Sequence, residues 1–122
     1  MTPWIMDDNS NDRLTLARRF MEPANSNHRQ YEALRAFFVE DRQSRRIPPN
    51  LESRLFRKLQ MIDDATTDQD LRAPPSNHFE KLRGHLADFH SIRVNEQWRL
   101  IFRWDSSRGE AEGIYLDDHS YR

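Results

Sequence analysis

Two arginines, Arg93 and Arg99, carry the clearest chemical signal in this chain, because the residues around them fix the face on which they stand. Ile92 and Val94 alternate with Ser91 and Arg93, while Trp98, Leu100, Phe102 and Trp104 alternate with Arg99, Ile101 and Arg103. This is the period-two pattern of a β-hairpin with one buried face. The two apolar sets align only if Val94 lies opposite Trp98 and Ile92 opposite Leu100. Residues 95–97 are then a loop, and Arg93 stands directly opposite Arg99 on the other face. Like charges so placed destabilise a sheet unless carboxylates or a bound anion neutralise them. Two facing guanidinium groups suit a phosphate, which they can hold through several N–H donors. The ordinary alternative is a pair of arginines whose heads lie in water or in salt bridges.

Other chemistries find little support. The histidines at 28, 78, 85, 90 and 119 lack metal-ligand spacing. Gly84, Gly109 and Gly113 are too scattered for a phosphate-cradling loop, and the absence of cysteine excludes disulfides, thiolate zinc sites and a cysteine nucleophile. The net charge is -1, with six Lys/Arg against seven Asp/Glu in residues 1–42 and thirteen against thirteen in residues 43–122. Binding nucleic acid through bulk charge is therefore not expected, and phosphate recognition must come from local arrangement. No apolar run approaches membrane-spanning length, and the start lacks the basic-then-apolar pattern of a secretory signal. The expectation is a cytoplasmic protein with no membrane partner. A chain of 122 residues is one domain, or a small domain with an appendage.

The elements that must position the hairpin follow from the pattern on either side. Residues 1–11 read as a mobile terminus, and Leu14, Ala17 and Met21 suggest a short helix stopped by Pro23. Asn25, Ser26 and Asn27 form a cap signal ahead of a helix over 28–41, with Tyr31, Leu34 and Phe38 on one stripe. After a basic connector and Pro48-Pro49, Asn50 is placed to cap a helix over 51–65 whose stripe is Leu51, Leu55, Leu59 and Ile62. Arg54, Arg57 and Lys58 lie around the rest of that helix and read as a solvated face. A short helix or turn over 66–72 closes at Pro74-Pro75. Strands are expected over 79–83, 89–94, 98–104 and 111–117. Helices first and an antiparallel meander second make an α+β domain, with helix 51–65 on the Trp98/Leu100/Phe102 face and the arginine face left for function.

Several runs together resemble the HigB toxins of type II toxin–antitoxin systems, in the RelE/ParE superfamily. They are Ser44–Pro49, Arg57–Ala65, Asp70–Pro75, Lys81-Leu82-Arg83-Gly84, His90–Phe102 with its Trp98-Arg99 pair, and Asp117-Asp118-His119. The resemblance covers residues 36–122 and leaves 1–35 as a partly helical or disordered N-terminal extension. It implies a small antiparallel sheet, mixed at its edge, packed on one or two helices. It further implies a ribosome-dependent mRNA endonuclease in which the ribose 2′-hydroxyl attacks its neighbouring phosphate, without metal or other cofactor. The implied partners are mRNA, the ribosome and a HigA-like helix-turn-helix antitoxin, with operator DNA reached only through the antitoxin. By position, Arg99 matches the family's catalytic arginine, Arg83 the basic residue before the glycine, Asp117 the terminal aspartate and His119 the terminal histidine. Glu80 stands where some members have a histidine and could serve as base; Lys81 and Arg93 are further candidates for RNA phosphate.

The departures from the family pattern are both general and local: members are commonly basic and open with a strand and a short helix, which the charge balance and residues 1–35 of this chain do not match. The usual Asp-Tyr-His ending has Asp118 in place of the tyrosine, which removes an aromatic able to stack on a base and adds a charge that repels phosphate. The loop after Gly84 reads His85-Leu86-Ala87-Asp88 and lacks the usual arginine. Three readings result, in this order: an mRNA interferase, a catalytically degenerate module that still binds an antitoxin, and a toxin-fold protein whose N-terminal extension has changed its target.

Overall fold

The computed structural model describes the backbone of residues 28–118 and the side chains from residue 32 to 118. The expected helix around Leu14, the cap signal at 25–27, Tyr31 and His119 lie outside these limits.

Helix α1 (His28–Glu40) turns Leu34 and Phe37 into the core, where they are almost completely buried. It ends at Asp41, whose positive φ of 55° allows the Arg42 amide to reach back to the Ala36 carbonyl. Helix α2 (Glu52–Asp64) follows a single 3-10 turn at Pro49–Leu51. Asn50 lies inside that turn and does not cap α2, whose N-cap position is Leu51 with no side-chain hydrogen bond. The expected cap fails because the prolines start a tight turn earlier, using the fixed φ of Pro49 in its first position. The stripe itself is as expected: Leu51, Leu55, Leu59 and Ile62 are all buried. Full burial of such a side chain stabilises a fold by about 1.5–3 kcal/mol.

Helix α3 (Asp68–Arg72) starts on a capping box, in which the Thr67 side chain accepts from the Asp70 amide and the Asp70 carboxylate accepts from the Thr67 amide. A second 3-10 turn at Pro75–Asn77 buries Asn77 completely, and His78 leaves it with φ 46°. The sheet that follows is a four-stranded meander in the order β1 (Glu80–Lys81), β2 (Phe89–Arg93), β3 (Trp98–Asp105) and β4 (Glu110–Asp118). Every pairing within it is antiparallel. The strand expected over 79–83 is reduced to a two-residue edge, with one further bond from the Leu82 amide to the Phe89 carbonyl before Gly84 turns the chain away at φ 67°.

The hairpin register agrees with the alternation: Ile92 pairs with Leu100 and Arg93 with Arg99. Its turn is held by Asn95, whose Oδ1 accepts from the Gln97 and Trp98 amides at 2.8 Å each. Between β3 and β4 a bulge sets Phe102 against two residues, Gly113 and Ile114, and Gly113 supplies the required positive φ of 61°. One core results, in which Ile92, Leu100, Phe102, Trp104 and Leu116 from the sheet meet the buried faces of α1 and α2. Trp104, a residue beside the arginine hairpin, is therefore part of the core; its indole Nε1 donates to Asp68 Oδ1 at 2.6 Å and ties β3 to α3. Among the described residues no helix is long and apolar enough to cross a membrane.

The tip of the β3–β4 hairpin abuts the linker between α2 and α3. Gly109 has φ 65°, and a Cβ there would lie 2.0 Å from the Thr66 carbonyl oxygen. Gly109→Ala is expected to destabilise the fold by about 2–4 kcal/mol, from a left-handed conformation combined with a backbone clash. Thermal unfolding measures this, and an unchanged midpoint would mean that the tip does not rest on Thr66.

On the core side of β2, His90 stacks on Phe79 with centroids 5.0 Å apart, and its buried Nδ1 has no hydrogen-bond partner among the described residues. Burial holds its pKa below the usual histidine value; Asp68 opposes that shift, and Lys81 and Arg72 add to it. Below pH about 6.5 the unfolded chain takes up a proton that folded His90 resists, so stability is full above that value and falls as pH drops through the lowered one. His90→Phe, which keeps the stack, is expected to flatten this fall below pH about 6.5 in urea titrations. An identical pH slope in the variant would remove His90 as its source.

Candidate active site

The face opposite the core is laid out in rows by the strand register. Glu80, Ser91, Ile101 and Tyr115 form one row from β1 to β4, and Arg93, Arg99 and Asp117 form the next. Arg99 is the centre. Its Nη1 donates to Glu80 Oε1 at 2.6 Å and to Ser91 Oγ at 3.1 Å, crossing diagonally from its own row into the neighbouring one. Its side chain is only 14% exposed, whereas that of Glu80 is 53% exposed. The guanidinium is thus aimed and largely desolvated while its carboxylate partner stays open to solvent.

The like-charge cost of setting Arg93 against Arg99 is offset on both flanks. Glu80 neutralises Arg99 from β1, and Asp117, 8% exposed, is the cross-strand neighbour of Arg99 on β4. The salt-bridged alternative is therefore what Arg99 adopts in this structure. Asp118, paired with Trp98, accepts from Gln97 Nε2 at 3.3 Å and so lies beside the hairpin turn.

The other candidates are distributed differently. Arg93 lies at the end of β2 and reaches a groove beside α2. Lys81 pairs with His90, one residue out of step with Glu80, and belongs to the opposite side of β1. Arg83 is exposed at the entry of the 3-10 turn Gly84–Leu86. Glu80, Arg99, Arg93 and Asp117 are therefore brought together; Lys81 and Arg83 stand apart from them.

The sequence already offers Arg103, beside the hairpin, as a candidate RNA contact, but it does not reveal the aromatic partners of Arg103 or the burial of Lys58. Arg103 lies over the Phe89 ring at 5.4 Å, and Phe89 meets Tyr115 edge-on, which gives the arginine face an aromatic and cationic border. The alternation of β2, β3 and β4 was the available signal. Lys58, read as part of a solvated face, is instead 8% exposed, and its Nζ donates to Asn77 Oδ1 at 2.5 Å and to Ser76 Oγ at 3.3 Å. Burial, followed by the charges of Arg54 and Arg57, lowers its pKa. Nothing local announces this, because Asn77 and Ser76 lie in a turn on the far side of α3. Among the described residues no three His, Asp or Glu side chains come together as metal ligands could.

Comparison with known proteins adds an independent line. The family model for the HigB-like toxin, described as a RelE-like toxin of the type II toxin–antitoxin system HigB, matches residues 27–119. Toxin HigB-1 of Vibrio cholerae is 49% identical over 88 residues, covering 72% of this chain and 90% of the relative. An uncharacterised protein of Haemophilus influenzae is 46% identical over 76 residues, covering 62% of this chain and 73% of its own length.

The geometry around Arg99 is open to a direct stability test. Glu80→Ala is expected to cost about 1 kcal/mol through loss of a charge-assisted hydrogen bond to a mostly buried group. Lys81→Ala, on the other side of the same strand, is expected to stay within about 0.5 kcal/mol. Urea denaturation separates the two, and equal effects would show that solvent screens the Arg99 contact.

Proposed function

The chain belongs to the HigB-like toxins, RelE-like toxins of type II toxin–antitoxin systems, and from that premise we propose that it is a ribosome-dependent mRNA interferase. A toxin of such a system has an antitoxin partner; here we assign a HigA-like helix-turn-helix protein, through which alone operator DNA is reached. In this reading the toxin unit is residues 36–122, acting in the cytoplasm. Residues 1–35 are an extension that lends Leu34 to its core.

The reaction is a metal-independent transfer within the RNA. The 2′-oxygen forms a bond to the adjacent phosphorus while the bond to the 5′-oxygen of the next nucleotide breaks, leaving a cyclic phosphate and a free 5′-hydroxyl. Charge builds on the non-bridging oxygens, one proton leaves the 2′-hydroxyl and one reaches the departing oxygen. Arg99 meets the first need, and its fixed, desolvated position beside Ser91 is the observation that carries the proposal. Glu80 serves as base. A phosphate entering at Arg99 competes for the same guanidinium, so it frees the Glu80 carboxylate at the moment a base is needed. His119, from its place in the terminal motif, donates the proton to the leaving oxygen, and Asp117 sets a carboxylate opposite Arg99 on the neighbouring strand. Arg83 and Arg93 receive flanking phosphates, and Lys81 contacts RNA only where the strand rounds the sheet edge.

A second reading draws support from the Glu80–Arg99 pair, which places negative charge where the substrate phosphate would lie, and from Asp118, which stands where the family has a tyrosine. In it the protein binds its antitoxin but does not cleave RNA.

Inducible expression in bacteria, with growth followed and mRNA 5′ ends mapped by primer extension, tests both. The interferase reading expects arrest with new mRNA ends, and Arg99→Ala lowering cleavage by about 10²–10³-fold, as for removal of one transition-state donor. Arrest indifferent to Arg99→Ala would overturn it. Unimpeded growth with retained antitoxin binding would select the second reading.

A further inference from the structure

A groove of about 520 Å³ runs between α2 and the β2–β3 hairpin. Arg54, Arg57, Lys58 and Arg93 line it together with His78, against a single carboxylate, Glu96. Such a concentration of cations is unusual in a chain whose net charge is -1. None of the four Lys/Arg side chains forms an ion pair with a carboxylate among the described residues. A solvated helix face would keep its charges in water, but Lys58 is 8% exposed. Its ammonium has three donors, and Asn77 Oδ1 and Ser76 Oγ, both neutral acceptors, take two of them. Asn77 is in turn fixed by donating to the Leu71 carbonyl and to Met61 Sδ, so the ammonium is held by a rigid, fully buried amide. Mutual repulsion and desolvation here are costs that an anion in the groove would relieve.

The groove also touches the candidate active site. Arg93 lines it and is at the same time the cross-strand partner of Arg99. A polyanion lying over Arg99 therefore meets Arg93 next and then the helix cations, with Glu96 the single carboxylate in the groove lining. We propose that this groove is a second phosphate site, which seats the backbone of the same RNA strand away from the bond held at Arg99. The inference rests on the RNA reading above. It differs in kind, because the groove side chains bind and position the strand and do not touch the reacting atoms.

The test is binding of a fluorescent 2′-O-methyl oligoribonucleotide, which cannot be cleaved, followed by anisotropy over a range of salt concentrations. Arg54→Gln/Arg57→Gln changes two exposed side chains and leaves the core untouched. It is expected to weaken binding about tenfold and to reduce the slope of log K against log salt by about 1.4, the value for two single-strand phosphate contacts. Arg54→Lys/Arg57→Lys is expected to restore the slope, since charge is kept. Unchanged affinity and slope in the glutamine variant would overturn the proposal while leaving the Arg99 reading intact. So would failure of the wild-type protein to bind the oligomer even at low salt, because the expression assay judges Arg99 independently. Loss of antitoxin binding in the glutamine variant with RNA binding unchanged would instead assign the groove to an acidic segment of the antitoxin, and the RNA proposal would fall.

Discussion

The register of the β2–β3 hairpin is the constraint on which the rest depends. In a strand with period two, committing Ile92, Leu100 and Phe102 to the core commits Arg93, Arg99 and Ser91 to the other face, and a slip of one residue would exchange the two sets. The Asn95 side chain makes that slip costly by closing the three-residue turn on the Gln97 and Trp98 amides. Every position of the candidate site is then counted from this hairpin: Glu80 through Ser91, and Asp117 through Arg99.

A second constraint acts at right angles to the first. Asn77 is fully buried and joins α2, α3 and the turn before β1 by accepting from Lys58 and donating to Leu71 and Met61. Buried amides are costly unless satisfied, so this arrangement holds only when all three elements are in place. It delivers β1, a strand of two residues, to the edge where Glu80 can reach Arg99. The short edge thus owes its position less to its own ladder than to the turn that precedes it.

The arrangement also bears on the proposed handling of a polyanion by a chain without excess positive charge. Cations are gathered on one flank, from Arg99 through Arg93 to Arg54, Arg57 and Lys58, while at the far hairpin tip Asp88, Asp105, Glu110 and Glu112 outnumber Arg103 and Arg108. Separation of this kind gives a directional field that net charge conceals. It also sets the character of Arg99: paired with Glu80 it is neutralised, and in the proposed reaction it would exchange one anion for another.

The sequence by itself determined the strands, the apolar stripe of α2, the face shared by Arg93 and Arg99, and the family to which the chain belongs. Those features are periodic or contiguous, so neighbouring residues report on one another. Tertiary structure alone decided that Glu80 meets Arg99, that Lys81 does not, and that Lys58 leaves solvent for Asn77. It also decided that Arg93 joins the helix arginines in one groove. Each of these joins residues that are far apart along the chain, at the ends of long side chains whose direction follows from strand order and helix packing. Alternation fixes a face, but only the packed fold fixes which charges share it.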